Sequence, residues 1–357
     1  MIIVTITIFF AIFLTVLEDR KILRNGMFFG FSFIIILFSL RYRYGNDYIS
    51  YEAIYLHIAQ SYDISHALRY NDYEAGWVSL NYLLKPFGFQ SVIFLITLIS
   101  NFLIYKIIKK FVPTGWYWLA VSWYLLNPDL FLLNISMLRQ GIAEILMLVA
   151  VCYAYKRKYF IPILLILIAV LLHKSSAIMI PFVLLGYFCE LMNIKYTIYL
   201  IVIICVYLIT NENITTNLFN YIMQSNLNLE EFRKYVSEDD TGVRFGLGVL
   251  LQIVAVLPIL LNLYKYDAYT KYLLLLYIIS FIFLPFASFS FMILRLRNFF
   301  ILFGLLLFPM YLSKEKDCPL KYVALTSIII YSVYSYFGFF SSATYGYAYS
   351  TFYFISL

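Results

Sequence analysis

Apolar stretches of similar length recur along the whole chain, separated by short polar segments. A helix needs about 20 apolar residues to cross the hydrocarbon of a bilayer, within a range of about 17–25. Shorter runs complete a crossing with aromatic or long charged side chains that reach the interface. The pattern predicts twelve spans: 2–17, 26–41, 91–106, 115–133, 137–155, 159–173, 175–192, 196–210, 245–264, 272–291, 297–312 and 321–338. Two longer polar segments, 41–90 and 211–244, interrupt it. In the first, Trp77, Leu80, Leu83 and Leu84 fall at helical spacing, which predicts an amphipathic helix over 72–84 lying along the membrane surface. In the second, residues 214–236 predict one or two short helices. Residues 1–17 lack the basic leader and small-residue cleavage site of a signal peptide and read as the first span.

Composition agrees with the pattern. The chain is 63% hydrophobic and 13% charged, against about 25% charged in a soluble domain. The expectation is an all-α integral membrane protein, one polytopic domain over 1–357. The net charge of +7 then bears on topology rather than on nucleic acid. More than half of the 26 basic residues lie in or beside six short alternate loops, 18–25, 107–114, 156–158, 193–195, 265–271 and 313–320. Such loops belong on the cytoplasmic side. Both termini, with the loops 41–90 and 211–244, are then expected outside. Cys152, Cys189, Cys205 and Cys318 are scattered, with no pairing motif, and predict neither a disulfide framework nor a metal site. Three histidines without ligand spacing exclude a zinc site.

On this topology the polar residues with chemical potential gather on the outer face. Arg41 and Arg43 end the second span, followed by Asp47, Tyr48 and Tyr51. Asn134, Arg139 and Gln140 sit between the fourth and fifth spans, with Glu144 deeper in the fifth. His173 and Lys174 end the sixth span, Arg244 begins the ninth, and Arg295 and Arg297 lie between the tenth and eleventh. Arginine presents a planar fork that grips phosphate oxygens and keeps its charge. Charges at a membrane rim are costly and usually face a cavity. Arg41, Arg43, Arg295 and Arg297 also read as interfacial anchors. Arg139 is the stronger candidate, because it interrupts an apolar hairpin and shares a predicted helix with Glu144. Glu144 reads equally as a structural partner or as a catalytic group. His173 and Asp47 are each a candidate general base. Most of the 35 tyrosines and 34 phenylalanines are packing or interfacial residues. Tyr48, Tyr51 and Tyr345 are candidates for stacking on sugar rings.

Several of these motifs resemble the EpsG-like branch of the Wzy-type polysaccharide polymerases. The segments are Arg41-Tyr-x2-Gly45-x-Asp47-Tyr48-x2-Tyr51, Leu138-Arg-Gln-Gly-Ile-Ala143, Leu172-His-Lys-Ser-Ser-Ala-Ile178 and Arg295-Leu-Arg-Asn-Phe-Phe. Tyr345-Gly-Tyr is a looser match, and the resemblance covers most of the chain. It implies a GT-C-like multispanning bundle in the bacterial cytoplasmic (inner) membrane, with its site facing outward. The implied activity joins a growing glycan, carried on undecaprenyl diphosphate, to the non-reducing end of an incoming lipid-linked unit. Arg139, Arg41, Arg295, Arg297, Lys174 and Arg244 would hold the diphosphate, and His173 or Asp47 would be the base. No cofactor or metal is implied. Partners would be the lipid-linked glycans, the bilayer, and a flippase and a chain-length regulator of the same pathway. Competing readings are a flippase, an O-antigen ligase and a membrane acyltransferase. A flippase should carry charges near the midplane and traces of repeated halves, neither of which the sequence displays.

Overall fold

The computed structural model describes residues 2–191, 193–224, 246–286, 291–342, 347 and 349–351. The chain is about 80% helical. In order the helices are α1 (Ile2–Asp19), α2 (Gly26–Ser39), α3 (Tyr48–Ala59), α4 (Ile64–Arg69), α5 (Ala75–Leu83), α6 (Phe89–Phe111), α7 (Tyr117–Leu125), α8 (Leu132–Ser136), α9 (Leu138–Tyr155) and α10 (Phe160–Leu172). There follow α11 (Ile180–Phe188), α12 (Ile194–Thr210), α13 (Glu212–Gln224), α14 (Leu247–Leu261), α15 (Ala268–Ile279), α16 (Phe291–Ile301), α17 (Gly304–Lys314) and α18 (Pro319–Ser342). One two-residue antiparallel pairing joins Arg41–Tyr42 to Ser350–Thr351.

Five stretches are long and apolar enough to cross a membrane: α1, α6, α9, the run Ile293–Lys314 through α16 and α17, and α18. A sixth arises if α12 is taken with Ile214–Tyr221, across a bend of 100°. Five shorter apolar helices (Gly26–Ser39, Phe160–Leu172, Lys174–Phe188, Leu247–Leu261 and Ala268–Phe283) coincide with further predicted spans. The protein is therefore a helical membrane protein. The predicted span 115–133 takes a different form. Its helix stops at Leu125, and the chain turns through Asn127-Pro128-Asp129 before the short α8. Proline has no N–H to donate and biases the residue before it away from helix. The loop 41–90 folds as α3, α4 and α5. The last of these lies within the amphipathic helix expected over 72–84. Of 214–236, the described part is the end of α13.

The helices at the centre of the bundle carry the polar motifs. In α9, and again in Ile293–Lys314, 83% of the apolar window is buried, against 28% in α1 and 33% in α18. At one end of the bundle the predicted basic loops meet. Lys109 pairs with Glu18, and the Asp19 carboxylate accepts the Gly115 and Trp118 amides at 2.9 and 2.8 Å. Tyr155 stacks on Tyr269 at 4.3 Å, and Lys314 pairs with Asp267 at 2.8 Å. Arg157 pairs with Glu190 at 3.0 Å, and Lys321 lies over Trp116 at 5.6 Å. The motif residues gather at the opposite end. α9 joins the two, and its 18 residues span about 27 Å at 1.5 Å per residue.

Candidate functional site

The site is built on the hairpin of α8 and α9. The two helices approach so closely that a Cβ on Gly141 would lie 2.7 Å from the Asn134 carbonyl oxygen. This contact brings Asn134 and Gln140 to one carboxylate. Asn134 Nδ2 donates to Glu144 at 2.9 Å, and Gln140 Nε2 donates to it at 2.7 Å. Gln140 Nε2 also reaches the Arg295 carbonyl at 2.8 Å. Glu144 is 1% exposed. A buried carboxylate is tolerated only when its lone pairs are satisfied, so this network fixes α16 against α9. Arg139 and Arg295 are thereby held at the same end of the bundle.

Arg139 emerges from the first turn of α9 into a second cluster. Its Nη1 pairs with Glu74, which stands at the N-cap of α5. Its guanidinium lies over the Tyr73 ring at 4.9 Å and the Tyr51 ring at 5.9 Å. The other Glu74 oxygen accepts the Lys174 amide at 3.1 Å and stands 3.7 Å from His173 Nδ1, beyond hydrogen-bond length. Burial alone would raise the Glu74 carboxyl, but the His173 ring, the Arg139 charge and the amides of Glu74 and Lys174 outweigh it and hold the group at about 2. His173 itself caps α10 with an extended backbone, which turns its ring out of the helix toward Glu74.

Asp47 begins α3, where its amide donates to Ser136 Oγ at 3.2 Å. The turn before it needs Gly45. There φ is +99°, and a Cβ would meet Ser136 at 2.9 Å. Burial raises the Asp47 carboxyl from its ordinary value, against the opposing pull of Arg295 and Arg139. Asp47 therefore sits in the field of both arginines.

The remaining sequence candidates divide sharply. Arg41 is 1% exposed. Its Nη1 donates to the Phe38 carbonyl and to Thr97 Oγ1, the latter at 2.8 Å, and its Nη2 donates to the Ile135 carbonyl at 3.1 Å. Arg41 thus ties α2, α6 and α8 beside a water-sized cavity of about 20 Å³. Arg297 is also buried. It lies on α16 rather than in a loop, 3.5 Å from Asp129 and 3.0 Å from Gln252, which also takes the Tyr277 hydroxyl at 3.1 Å. Arg295 lies on the same helix and is half-buried, while Lys174 is exposed. Tyr48 and Tyr51 are buried, packed edge-on against Phe89 and Trp77 at 5.3 and 5.4 Å. Arg244 and Tyr345 lie outside the described residues. Among the described residues no group of three or more His, Cys, Asp or Glu is placed to hold a metal ion.

Two acidic residues that sequence reasoning passed over belong here. Glu74 is one of several acids in a long polar loop, and its partners are 65 and about 100 positions away; nothing in its spacing marks it. Asp129 did carry a signal, as a lone carboxylate inside an apolar run.

A helical membrane protein with a rim of arginines and carboxylates at one end of its bundle is the class that fold and site define. The EpsG family model matches residues 26–354, and the chain belongs to the EpsG family. Membership carries a polymerase-type role in polysaccharide biosynthesis. No curated protein and no solved structure matches the chain.

Proposed function

We propose that the protein polymerises oligosaccharide repeat units carried on undecaprenyl diphosphate, at the outer face of a bacterial cytoplasmic membrane. In this reading the chain crosses the bilayer twelve times, with both termini outside. A flippase and a chain-length regulator work on the same glycans. The acceptor hydroxyl, at the non-reducing end of the incoming unit, attacks the anomeric carbon of the growing chain. The bond from that carbon to the lipid diphosphate breaks, and the hydroxyl proton passes to a carboxylate or imidazole. Charge develops on the departing phosphate oxygens, and fixed cations that meet it there lower the barrier.

The observation that carries this reading is the cluster around Glu74, which pairs with Arg139, accepts the Lys174 amide at 3.1 Å and stands 3.7 Å from His173. Asp47, whose carboxyl burial raises, lies in the field of Arg295 and Arg139. Arg139 and Arg295 are assigned to the diphosphate, with Lys174 at the exposed edge. Asp47 is favoured as the base, because a raised carboxyl is a better proton acceptor near neutral pH. His173 faces Glu74, which also holds Arg139, and serves as the alternative base. Arg41 and Arg297 are assigned to the scaffold, since both are buried on internal partners.

The test is the lipid-linked product. In a strain lacking this chain, glycan should accumulate as single lipid-linked units on the outer face. Units trapped on the inner face would indicate a flippase, and long chains left unjoined to a lipid core would indicate a ligase.

A further inference from the structure

The basic end of the bundle carries a second cluster of charge. α6 closes on Lys106, Lys109 and Lys110, spaced so that all three share one side of the helix. Lys109 is matched by Glu18. The other two are met by neutral groups. Lys110 Nζ donates to the Tyr153 hydroxyl at 2.8 Å, and Lys106 Nζ lies over the Phe102 ring at 5.1 Å. Lys156, from the end of α9, lies over the Phe111 ring at 4.4 Å. Among the described residues, Lys109 is the one lysine of these four in an ion pair. Such a cluster calls for an anion from outside the chain.

The shape says which kind. Between α6 and α9 opens a solvent-facing cavity of about 440 Å³. Its buried floor is apolar, Ile107 and Val149 with Leu103 beside them, and its exposed rim carries Lys106, Lys110 and the Glu18-paired Lys109. From the rim, the outward side of α6 continues apolar through Phe102 and Ile99, which are 46% and 37% exposed. A cationic rim, an apolar floor and an apolar track along a membrane helix fit a molecule with a negative head and a hydrocarbon tail. A free anion would leave the floor and track unused.

We propose that this cavity seats an anionic phospholipid. Its phosphate lies between Lys106 and Lys110, with Lys156 adding to the field, and an acyl chain runs along Phe102 and Ile99. The lipid would brace α6 against α9, the helix whose other end presents Arg139. The proposal stands independently of the polymerase reading.

The test uses the full chain, purified and incubated with phosphatidylglycerol or phosphatidylcholine, and native mass spectrometry to count retained lipid. Phosphatidylglycerol should survive activation that strips phosphatidylcholine. In the doubly substituted Lys106→Gln, Lys110→Gln chain its retention should fall about fivefold per lysine lost. The Lys106→Arg, Lys110→Arg pair should keep it, which separates lost charge from misfolding. Val149→Trp, which fills the floor but leaves every lysine, should lose it as well. Equal retention of the two lipids, or undiminished retention after the glutamine substitutions, would overturn the proposal. So would displacement of the lipid by millimolar inorganic phosphate together with full retention in Val149→Trp, which would make this a seat for a free anion.

Discussion

Glu74 is the residue on which the organisation of the site turns. It holds one terminal nitrogen of Arg139 and faces His173 and Lys174, so that three chain regions depend on one carboxylate. Its folded value of about 2 lies below the ordinary carboxyl value. A depressed carboxyl contributes stability that is fully present above its unfolded value and is lost as pH falls through the folded one. Melting temperature in detergent should therefore fall as pH drops from about 5 toward about 2, and Glu74→Gln should flatten that dependence. The same substitution should lower polymer yield more than it lowers protein level, because Arg139 loses its orienting partner. Asp47 behaves oppositely. Burial disfavours its charge at neutral pH, so Asp47→Asn should leave thermal stability unchanged or slightly raised while abolishing chain extension. Chain extension surviving in that variant would return the base to His173.

Arg41 and Arg43 show why such assignments were only partly legible in the sequence. The two are near-identical as letters at the end of one apolar run. In the fold, Arg41 is buried among carbonyls of two elements, whereas Arg43 is exposed, with φ at 48°. Periodicity cannot separate them, because the difference lies in which way a two-residue turn points. Arg139 was legible, since a charge placed within an apolar hairpin has few bland explanations. Glu74 was not, because its role depends on contacts far along the chain.

At the scale of elements, the apolar pattern located most helices, and the departures have local causes. The predicted span 115–133 breaks at Asn127-Pro128, and that break allows α8 to fold back on α9 and aim Arg139. The turn before α3 depends on Gly45 at positive φ, in contact with Ser136 of α8. Gly45→Ala should destabilise by about 1–3 kcal/mol from backbone strain, with further loss from the clash at Ser136. A thermal melt in detergent measures it. A variant that melts with the parent would mean that the turn tolerates a side chain.

At the scale of the molecule, an apolar bundle separates two polar ends of different character. One has lysines paired with acids and aromatic rings. The other has arginines organised around Glu74, Asp47 and Asp129, with Glu144 buried on Asn134 and Gln140. The basic-loop arrangement predicts their sides of the membrane, because cytoplasmic loops carry the excess of Lys and Arg. With Cys318→Ser as background, Asp63→Cys should react with a membrane-impermeant maleimide in intact cells, and Lys316→Cys should react only after the membrane is opened. The reverse pattern would invert the topology and with it the proposed outward site.

The central claim is that Arg139 meets the leaving diphosphate in the polymerising step. It is tested most directly by resolving lipid-linked glycan from cells whose only copy of this chain carries Arg139→Ala, with membrane insertion checked alongside. Chain length in that strain should collapse to single repeat units at normal protein level, while the parent chain yields long polymer. Long polymer from the inserted Arg139→Ala protein would contradict the account.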